Sequence, residues 1–245
     1  MNACIFLGPT LPISEARAIL DADYRPPVAH GDVYRATLQE PQPRVIGIID
    51  GYFRHRAAVR HKEILWALSQ GIAVFGAASI GALRAAELAD FGMIGIGQIF
   101  EDFRDGLLED DDEVAVDHGP AELGYPAVNL AMVDIRATLT ASRAQGVISE
   151  ATERVLIDIG KRCFYPDRSI AVLVEQARRL GAPEQELDRL AQSRTIGAKH
   201  SDAVTMLKAI DSFMRENRAP PRGDFRLAWT DLWEADVKAA RSAPE

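Results

Sequence analysis

A serine between an apolar run and an Ala-rich helix is the first candidate for chemistry in this sequence. The segment Gly71–Leu88, GIAVFGAASIGALRAAEL, starts with β-forming residues and becomes Ala- and Leu-rich from Ala82, which predicts a strand, a tight turn and a helix. Ser79 lies in the turn, where unpaired N–H groups at the start of a helix favour an anion or a developing oxyanion. The serine is either an exposed nucleophile or the helix N-cap, and general capping preferences favour the N-cap.

Small residues surround Ser79 in this turn. Gly76, Ala78 and Gly81 leave room for another group to approach the backbone, so we predict that they bind substrate. The nucleophile pattern G-x-S-x-G is not matched, because Ala77 stands two residues before Ser79. A nucleophilic serine would also need a base within hydrogen-bonding distance, or an adjacent lysine.

Asp50, His61 and Lys199 are the candidate bases. Asp50 follows a buried strand pattern and is joined to Gly51, a predicted substrate-binding position; it is either a site carboxylate or a turn residue that caps the next segment. His61 lies within a predicted helix and is either a general base or a surface histidine. Lys199 precedes Asp202 on one helix face, so it either pairs there or reaches the α/β site.

Two further groups of polar residues could bind charge. Arg84 and Glu87 lie three residues apart in the helix after Ser79; they form an ion pair, or Arg84 holds an anion at the helix start. Glu109–Glu113 is a run of five acidic residues, which is typical of a solvated loop, with Mg²⁺–phosphate binding or a basic partner as alternatives. His118 follows as another candidate base or substrate-binding residue.

Composition excludes several classes of protein. The chain has 245 residues and a formal net charge of −8, which argues against nucleic-acid binding because that requires clustered Lys and Arg. The two cysteines, Cys4 and Cys163, are too few for a disulfide framework and lack metal-ligand spacing. No segment has the length of a membrane span, and the N-terminus lacks signal-peptide features. We therefore expect a cytoplasmic protein that does not bind membranes, metals or cofactors.

The apolar pattern predicts an α/β protein. Ala3–Leu7, Val45–Ile49 and Ile72–Phe75 are short apolar runs separated by helix patterns, which favours a small parallel sheet flanked by helices. Val114–Val116 is a candidate edge strand. Ligands of such sheets bind beyond the carboxyl ends of the strands, where Asp50 and the turn of Ser79 would lie.

The second half of the chain lacks strand-like runs after Gly124-Tyr125-Pro126. Helices are predicted over Val128–Ala144, Glu150–Gly160, Ile170–Leu180, Glu184–Gln192 and Ala198–Asn217. We therefore predict an α/β core domain over residues 1–125 and a helical domain with a C-terminal tail over residues 126–245. In the tail, Trp229 and Trp233 are spaced to share a helix face that docks on the body of the protein.

Several stretches together resemble the TfuA-like family. They are VIGIIDGYF from Val45, HKEILWALSQGIAVFGAASIGALRAAEL from His61 and FGMIGIGQIFEDFRDGLLEDDDEVAV from Phe91. HGDVYRA upstream and HGPAELGY downstream fit the same family. The resemblance is collinear and extends from Gly31 to Tyr125.

The resemblance implies a role beside a YcaO-type enzyme in thioamide formation on a peptide or protein backbone. The YcaO partner uses ATP to activate an amide oxygen, which a sulfur nucleophile replaces. A TfuA-like partner is expected to supply that sulfur, by one route through hydrolysis of a thiocarboxylate on a small ThiS-like sulfur-carrier protein. The precursor peptide would be reached through the YcaO partner. The resemblance supplies no catalytic residues, so the roles above rest on the residues themselves.

Two functions from different classes remain open. Sulfide release from a thiocarboxylate is acyl transfer, which needs a nucleophile or activated water, a base and oxyanion donors; the turn of Ser79 and one candidate base could supply them. The alternative is a non-catalytic activator that docks on the YcaO enzyme. A Ser79 hydroxyl open to solvent beside an ordered base would favour the enzyme, and a buried hydroxyl bonded only to its own helix would favour the activator.

Overall fold

The computed structural model describes residues 2–53, 56–221 and 223–242, in which there are five β-strands and eleven α-helices. The strands are β1 Ala3–Phe6, β2 Asp23–Arg25, β3 Val45–Ile48, β4 Ala73–Ala77 and β5 Ile94–Ile96. The helices are α1 Ile13–Ile19, α2 Asp32–Thr37, α3 His61–Ser69, α4 Ile80–Leu88, α5 Gln98–Arg104, α6 Met132–Ala144, α7 Glu150–Arg162, α8 Ile170–Arg179, α9 Glu184–Ala191, α10 Ala198–Arg215 and α11 Asp231–Ser242. The predicted α/β class with a mostly helical C-terminal part is confirmed.

All five strands are parallel and form one sheet in the order β2-β1-β3-β4-β5. The three predicted apolar runs are β1, β3 and β4 at its centre. The edge strands β2 and β5 have only three residues each, which is too short for a recognisable period. The predicted edge strand Val114–Val116 is wrong, because that segment follows a 3₁₀ helix, Asp111–Glu113, and pairs with no strand of the described chain.

Helices cover both faces of the sheet, which explains why its central strands are continuous apolar runs. Ile5 and Phe75 lie on one face and pack in a buried cluster with Met206 and Ile210 of α10. Side chains alternate along a strand, so the neighbouring positions of β1 and β4 face the other layer. That layer contains α2, α3 and α4.

The strand order reverses between β1 and β3, which are neighbours in the sheet although β2 lies between them in the chain. In open parallel sheets, this switch point is where ligands bind, beyond the carboxyl ends of the strands. Asp50 follows β3 directly and therefore lies at the switch point. Ser79 follows β4, the next strand in the sheet.

The chain forms two compact units. Unit 1 comprises residues 1–109 and 200–245, and unit 2 comprises residues 110–199. The predicted domain boundary after residue 125 stays a prediction, since compactness does not test whether a segment folds on its own. Among the described residues, no helix combines the length and apolar character needed to cross a lipid bilayer.

Unit 2 is built from α6, α7, α8 and α9 around a single apolar cluster. Its buried leucines include Leu139, Leu156, Leu173 and Leu187, one from each helix. The hydroxyls of Ser149 and Ser169 accept hydrogen bonds from N–H groups in the first turns of α7 and α8. These caps satisfy donors that would otherwise be unpaired, so both helices begin at defined residues.

In unit 1, α11 packs against α2 and α3. The Trp233 side chain is 1% exposed, and its ring centroid lies 5.5 Å from that of Tyr34 and 6.1 Å from that of Trp66. The predicted docking of the tail is therefore seen at Trp233. The predicted shared helix face is wrong, because Trp229 precedes the start of α11 and is mostly exposed.

Candidate functional site

The turn between β4 and α4 is tight and its backbone is strained. Ala78 has a φ of +66°, in the left-handed region that residues with a Cβ rarely adopt. The Ser79 N–H donates to the Ala77 carbonyl at 2.8 Å, which closes a three-residue turn around Ala78. The strained residue is therefore Ala78, and Ser79 stands between it and the first residue of α4.

The whole turn is buried. Ser79 is 1% exposed, and Ala77 and Ala78 are fully buried beside it. The Ser79 hydroxyl is therefore shielded from solvent in this structure, which meets one of the two conditions for the activator alternative. The catalytic role of Ser79 stays a prediction.

Gly76 and Gly81 allow the backbone of α4 to approach the sheet. A Cβ at Gly81 would lie 1.8 Å from the carbonyl oxygen of Ile48 in β3. A Cβ at Gly76 would lie 2.1 Å from the carbonyl oxygen of Gly81. The space that the small residues leave is thus filled by the protein's own backbone, and substrate binding at Gly76, Ala78 and Gly81 remains untested.

Three N–H groups in the first turn of α4 have backbone acceptors. Gly81 donates to the Ile49 carbonyl at 3.4 Å, while Ala82 and Leu83 donate to the Ser79 carbonyl at 3.0 and 3.4 Å. Ser79 occupies the predicted N-cap position, but its side chain makes no capping hydrogen bond. The predicted hydroxyl cap is therefore wrong, since backbone carbonyls satisfy these donors instead.

Asp50 links the two loops at the switch point. Its buried carboxylate accepts hydrogen bonds from the N–H groups of Gly8 at 2.9 Å and Thr10 at 3.1 Å, and from the Thr10 hydroxyl at 2.6 Å. Gly51 next to it leaves no room for a side chain, because a Cβ would lie 2.8 Å from the Val28 carbonyl oxygen. The carboxylate fixes the loop after β1, and its predicted role as a base stays untested.

His61, Glu87 and Arg84 form a cluster on the surface of unit 1. Nε2 of His61 lies 2.7 Å from Oε2 of Glu87, and Nη1 of Arg84 donates to the same oxygen at 2.6 Å. The Arg84 Nε also donates to the Val59 carbonyl at 3.1 Å. The His61 side chain is 48% exposed. The predicted intrahelical pair of Arg84 and Glu87 is confirmed, and it also binds His61.

The electrostatics of this cluster are visible at Glu87. Partial burial alone would raise the pKa of its carboxyl group, but hydrogen bonds and positive charge from His61 and Arg84 lower that pKa below its usual value. A carboxylate that stays ionised can orient an imidazole and stabilise its protonated form. The arrangement therefore suits a general base that is open to solvent.

The cluster is separate from the turn of Ser79. Glu87 lies eight residues after Ser79 along α4, which corresponds to about 12 Å at 1.5 Å per residue. His61 is bonded to Glu87 rather than to the serine. His61 and Ser79 are thus not brought together, whereas Asp50 and Ser79 lie in the loops that follow the neighbouring strands β3 and β4.

Lys199 and Asp202 have structural partners. The Lys199 ammonium group is buried and donates to the Val114 carbonyl at 3.1 Å within unit 2. In unit 1, the Asp202 carboxylate accepts from the N–H groups of Gln98 and Ile99 at 3.2 and 2.9 Å, so it caps α5. Burial raises the pKa of Asp202 despite these bonds. Pairing of Lys199 with Asp202 is one of the two alternatives from the sequence. The hydrogen bonds described above join each of these residues to a different partner.

His118 lies in unit 2, at the base of a hairpin. It forms an antiparallel bridge with Ala127, and its ring lies 5.4 Å from that of Tyr125. The ring is partly exposed. Its predicted role in substrate binding remains untested.

Comparison with known proteins identifies the family. Residues 50–169 match the family model described as TfuA-like protein. Just under half of the chain, 120 of its 245 residues, is thus TfuA-like. The resemblance expected from the sequence is thereby confirmed, and the family is one associated with YcaO-dependent thioamidation. A search of curated proteins found no match.

The matched segment separates the candidate residues of this TfuA-like chain into two groups. It contains the switch-point residues Asp50 and Gly51, the cluster at His61, the turn of Ser79, and His118. Lys199 and Asp202 lie outside it. The residues matched to the family are therefore those at the carboxyl edge of the sheet, the exposed cluster and the hairpin.

Sequence analysis of the TfuA-like segment missed the partners of the acidic run. The Lys161 ammonium group contacts Asp110 at 3.0 Å and Asp112 at 2.7 Å, and the buried Arg168 guanidinium also binds Asp112. Arg136 binds the last acidic residue of the run at 2.9 Å. Hydrogen bonds and charges from Lys161 and Arg168 lower the pKa of Asp112, although burial opposes them.

These pairs show that most of the acidic run stabilises unit 2 internally. Within the described part of the chain, no group of three or more His, Cys, Asp or Glu residues is arranged to hold a metal ion. The basic partners lie about 25 to 55 residues further along the chain, on α6, on α7 and before α8, so no local pattern in the sequence indicates the contact.

Proposed function

We propose that this TfuA-like chain is the sulfur-delivery partner of a YcaO-type enzyme in backbone thioamide formation, releasing sulfide from a thiocarboxylated ThiS-like carrier protein. Family membership supports the YcaO partnership. The observation that carries the hydrolytic step is the exposed imidazole of His61, bonded to the ionised carboxylate of Glu87 with Arg84 beside it.

His61 is the general base of this proposal. Its Nε2 is bonded to Glu87, so Nδ1 takes a proton from a water molecule while Glu87 stabilises the imidazolium. The oxygen of that water forms a bond to the thiocarboxylate carbon, and the carbon–sulfur bond then breaks. The carrier thiocarboxylate and water become a carboxylate, hydrosulfide and one proton, which passes from His61 to solvent. Arg84 contributes positive charge near the anionic substrate.

Water rather than Ser79 is the nucleophile in this scheme. Ser79 is buried and about 12 Å along α4 from Glu87, so the base of the exposed cluster cannot accept its proton. Asp50 and Lys199 are buried and hydrogen-bonded to backbone groups, so of these three candidate bases only His61 can be reached by a carrier protein.

The test measures sulfide released from a thiocarboxylated ThiS-like carrier. His61→Gln should reduce the rate by about 100-fold or more, as expected for the loss of a general base. Glu87→Gln should reduce it by a smaller factor because the imidazole loses its orienting charge. The rate of sulfide release by Ser79→Ala should stay within about threefold of that of the unmodified chain, since the Ser79 hydroxyl takes no part in the reaction.

Lys62→Gln is the matched control, because it removes a partly exposed charge next to His61 without altering His61, Arg84 or Glu87. Circular dichroism must show that each variant is folded. If His61→Gln retained full activity, the assignment of His61 as the general base would be wrong. A large loss with folded Ser79→Ala would instead support the serine as nucleophile.

The burial of the Ser79 turn favours a second candidate, a non-catalytic activator that docks on the YcaO enzyme. In that case the unmodified chain would release no sulfide from the carrier. It would still raise the rate of thioamide formation when free sulfide is supplied. Measuring thioamide product with and without this chain, at saturating sulfide, separates the two functions.

A further inference from the structure

Strongly exposed apolar side chains lie on a hairpin of unit 2 inside the family-matched segment. The hairpin comprises residues 117–128 and is termed here the apolar hairpin; it is closed by the bridge between His118 and Ala127. Leu123 is 71% exposed and Val128 is 70% exposed. Single exposed apolar side chains are common, but several on one short segment offer apolar surface that a partner can cover.

The base of the apolar hairpin is held in place by Asn129. Its Oδ1 accepts from the Asp117 N–H at 2.6 Å, and its Nδ2 donates to the Tyr165 carbonyl at 2.6 Å. Phe164, which is also mostly exposed, packs its ring 5.4 Å from that of Tyr165. The hairpin and Phe164 are thus attached to one framework, which lowers the entropy lost on binding.

The surroundings of the apolar hairpin are acidic. Residues 110–128 contain six Asp and Glu and no Lys or Arg. Lys161, Arg136 and Arg168 neutralise three of these carboxylates from outside the segment. Asp111 and Glu122 are exposed, and neither forms an ion pair with another residue of the described ranges. An apolar surface with free carboxylates beside it is complementary to an apolar pocket rimmed by Lys and Arg.

We propose that the YcaO-type enzyme docks on the apolar hairpin and Phe164, through an apolar pocket of its own that carries Lys and Arg at its rim. This inference rests on the partnership given under the proposed function. It is supported by the charge of residues 110–128, by the exposure of Leu123 and Val128, and by the position of the hairpin within residues 50–169. The His61 cluster lies in unit 1, so docking and sulfide release use different residues.

The test measures the dissociation constant between the full-length chain and its YcaO-type enzyme by calorimetry. The double variant Leu123→Ser, Val128→Ser should weaken binding by at least about tenfold, because it removes two apolar anchors. Leu180→Ser is the matched control: it is 66% exposed, lies in unit 2 and falls outside the matched segment. The dissociation constant of the control variant should stay within about twofold of that of the unmodified chain.

A charge variant tests the basic rim. Glu122→Lys should slow association and reduce the dependence of the association rate on salt, because it removes an attractive charge at the edge of the interface. Glu40→Lys serves as its control and should leave the association rate and its salt dependence unchanged, because Glu40 is also exposed, forms no ion pair with the rest of the described chain and lies outside the matched segment. An unaltered association rate in Glu122→Lys would overturn the proposed rim.

The outcomes separate this inference from the proposed function. If the unmodified proteins bind and the double variant binds equally well, the docking surface is wrong while the partnership stands. If the unmodified proteins form no complex, the docking surface and the proposed partnership are both wrong. If the double variant keeps the complex but loses sulfide release from the carrier, the hairpin contacts the carrier instead, which also overturns the docking proposal.

Discussion

At the scale of single residues, Glu87 connects the chemistry of the exposed cluster to the stability of unit 1. Its carboxylate binds both His61 and Arg84. His61 alone, as one exposed histidine on a helix, would be a common surface feature. The carboxylate that orients it comes from the next helix, and it gives the imidazole a partner typical of general bases.

Replacing Glu87 should change how stability depends on pH. Its pKa is lower in the folded protein than in the unfolded chain, since His61 and Arg84 favour the ionised form over the opposing effect of burial. The stabilisation is therefore present above the unfolded pKa of about 4.3 and is lost as pH falls through the folded pKa. Glu87→Gln should lower the melting temperature at pH 7, with a difference that shrinks as the pH falls below the unfolded pKa and through the lower folded pKa.

Melting curves by circular dichroism between pH 3 and 8 would measure this difference. Glu40→Gln is the control, because Glu40 is exposed and forms no ion pair with the rest of the described chain. A difference for Glu87→Gln that grows towards acidic pH would contradict the cited direction of the pKa.

At the scale of secondary-structure elements, α4 is placed by its contact with β3. The N–H of Gly81 donates to the carbonyl of Ile49, and the Cα of Gly81 lies against the backbone of Ile48. A glycine in the first turn of α4 is needed for this approach. The small-residue pattern, which also predicts space for a ligand, allows α4 to lie directly on β3.

Gly81→Ala should destabilise unit 1 by about 3 kcal/mol, at the upper end of the cost of overpacking. The added Cβ would meet backbone atoms that cannot move independently of β3. Chemical denaturation measures the change in the free energy of unfolding.

Gly71→Ala provides the comparison. Gly71 has a φ of +77°, but no atom lies within 4 Å of an added Cβ, so only the left-handed conformation is penalised, by about 1 kcal/mol. Equal losses in the two variants would show that the contact between α4 and β3 has little energetic importance.

At the scale of the whole molecule, the C-terminal helix returns to the first half of the chain. The three tryptophans of the protein, Trp66, Trp229 and Trp233, have neighbouring rings, with centroids between 6.1 and 6.4 Å apart. The Asp236 carboxylate adds a salt bridge to Arg60 at 2.8 Å. Docking of α11 therefore combines apolar burial with a charged contact.

Trp233→Ala should destabilise the protein by about 3–5 kcal/mol, because it removes a large buried side chain and leaves a cavity. The neighbouring Leu232 is 64% exposed, so Leu232→Ala should change stability by no more than about 0.5 kcal/mol. Denaturation monitored by the fluorescence of Trp66 and Trp229 compares the two variants. A similar effect of both would show that α11 is not docked as described.

Prediction from the sequence succeeded where structure is encoded locally. The central strands β1, β3 and β4 are continuous apolar runs, and helices α6 to α10 have amphipathic spacing. The short strands β2 and β5 lack such a signal, because pairing with a neighbour rather than composition defines them. Val114–Val116 has a strand-like composition, but no strand within the described ranges pairs with it.

The sequence by itself determined the α/β class, the helical second half, the position of the turn at Ser79 and the resemblance to the TfuA-like family. These depend on patterns within about 20 residues. Only the tertiary structure decided that Asp50 holds the loop of Thr10, 40 residues away, and that His61 meets Glu87, 26 residues away. The reason is that hydrogen bonds and burial join residues distant in the chain, so the role of a polar side chain depends on which element packs beside it.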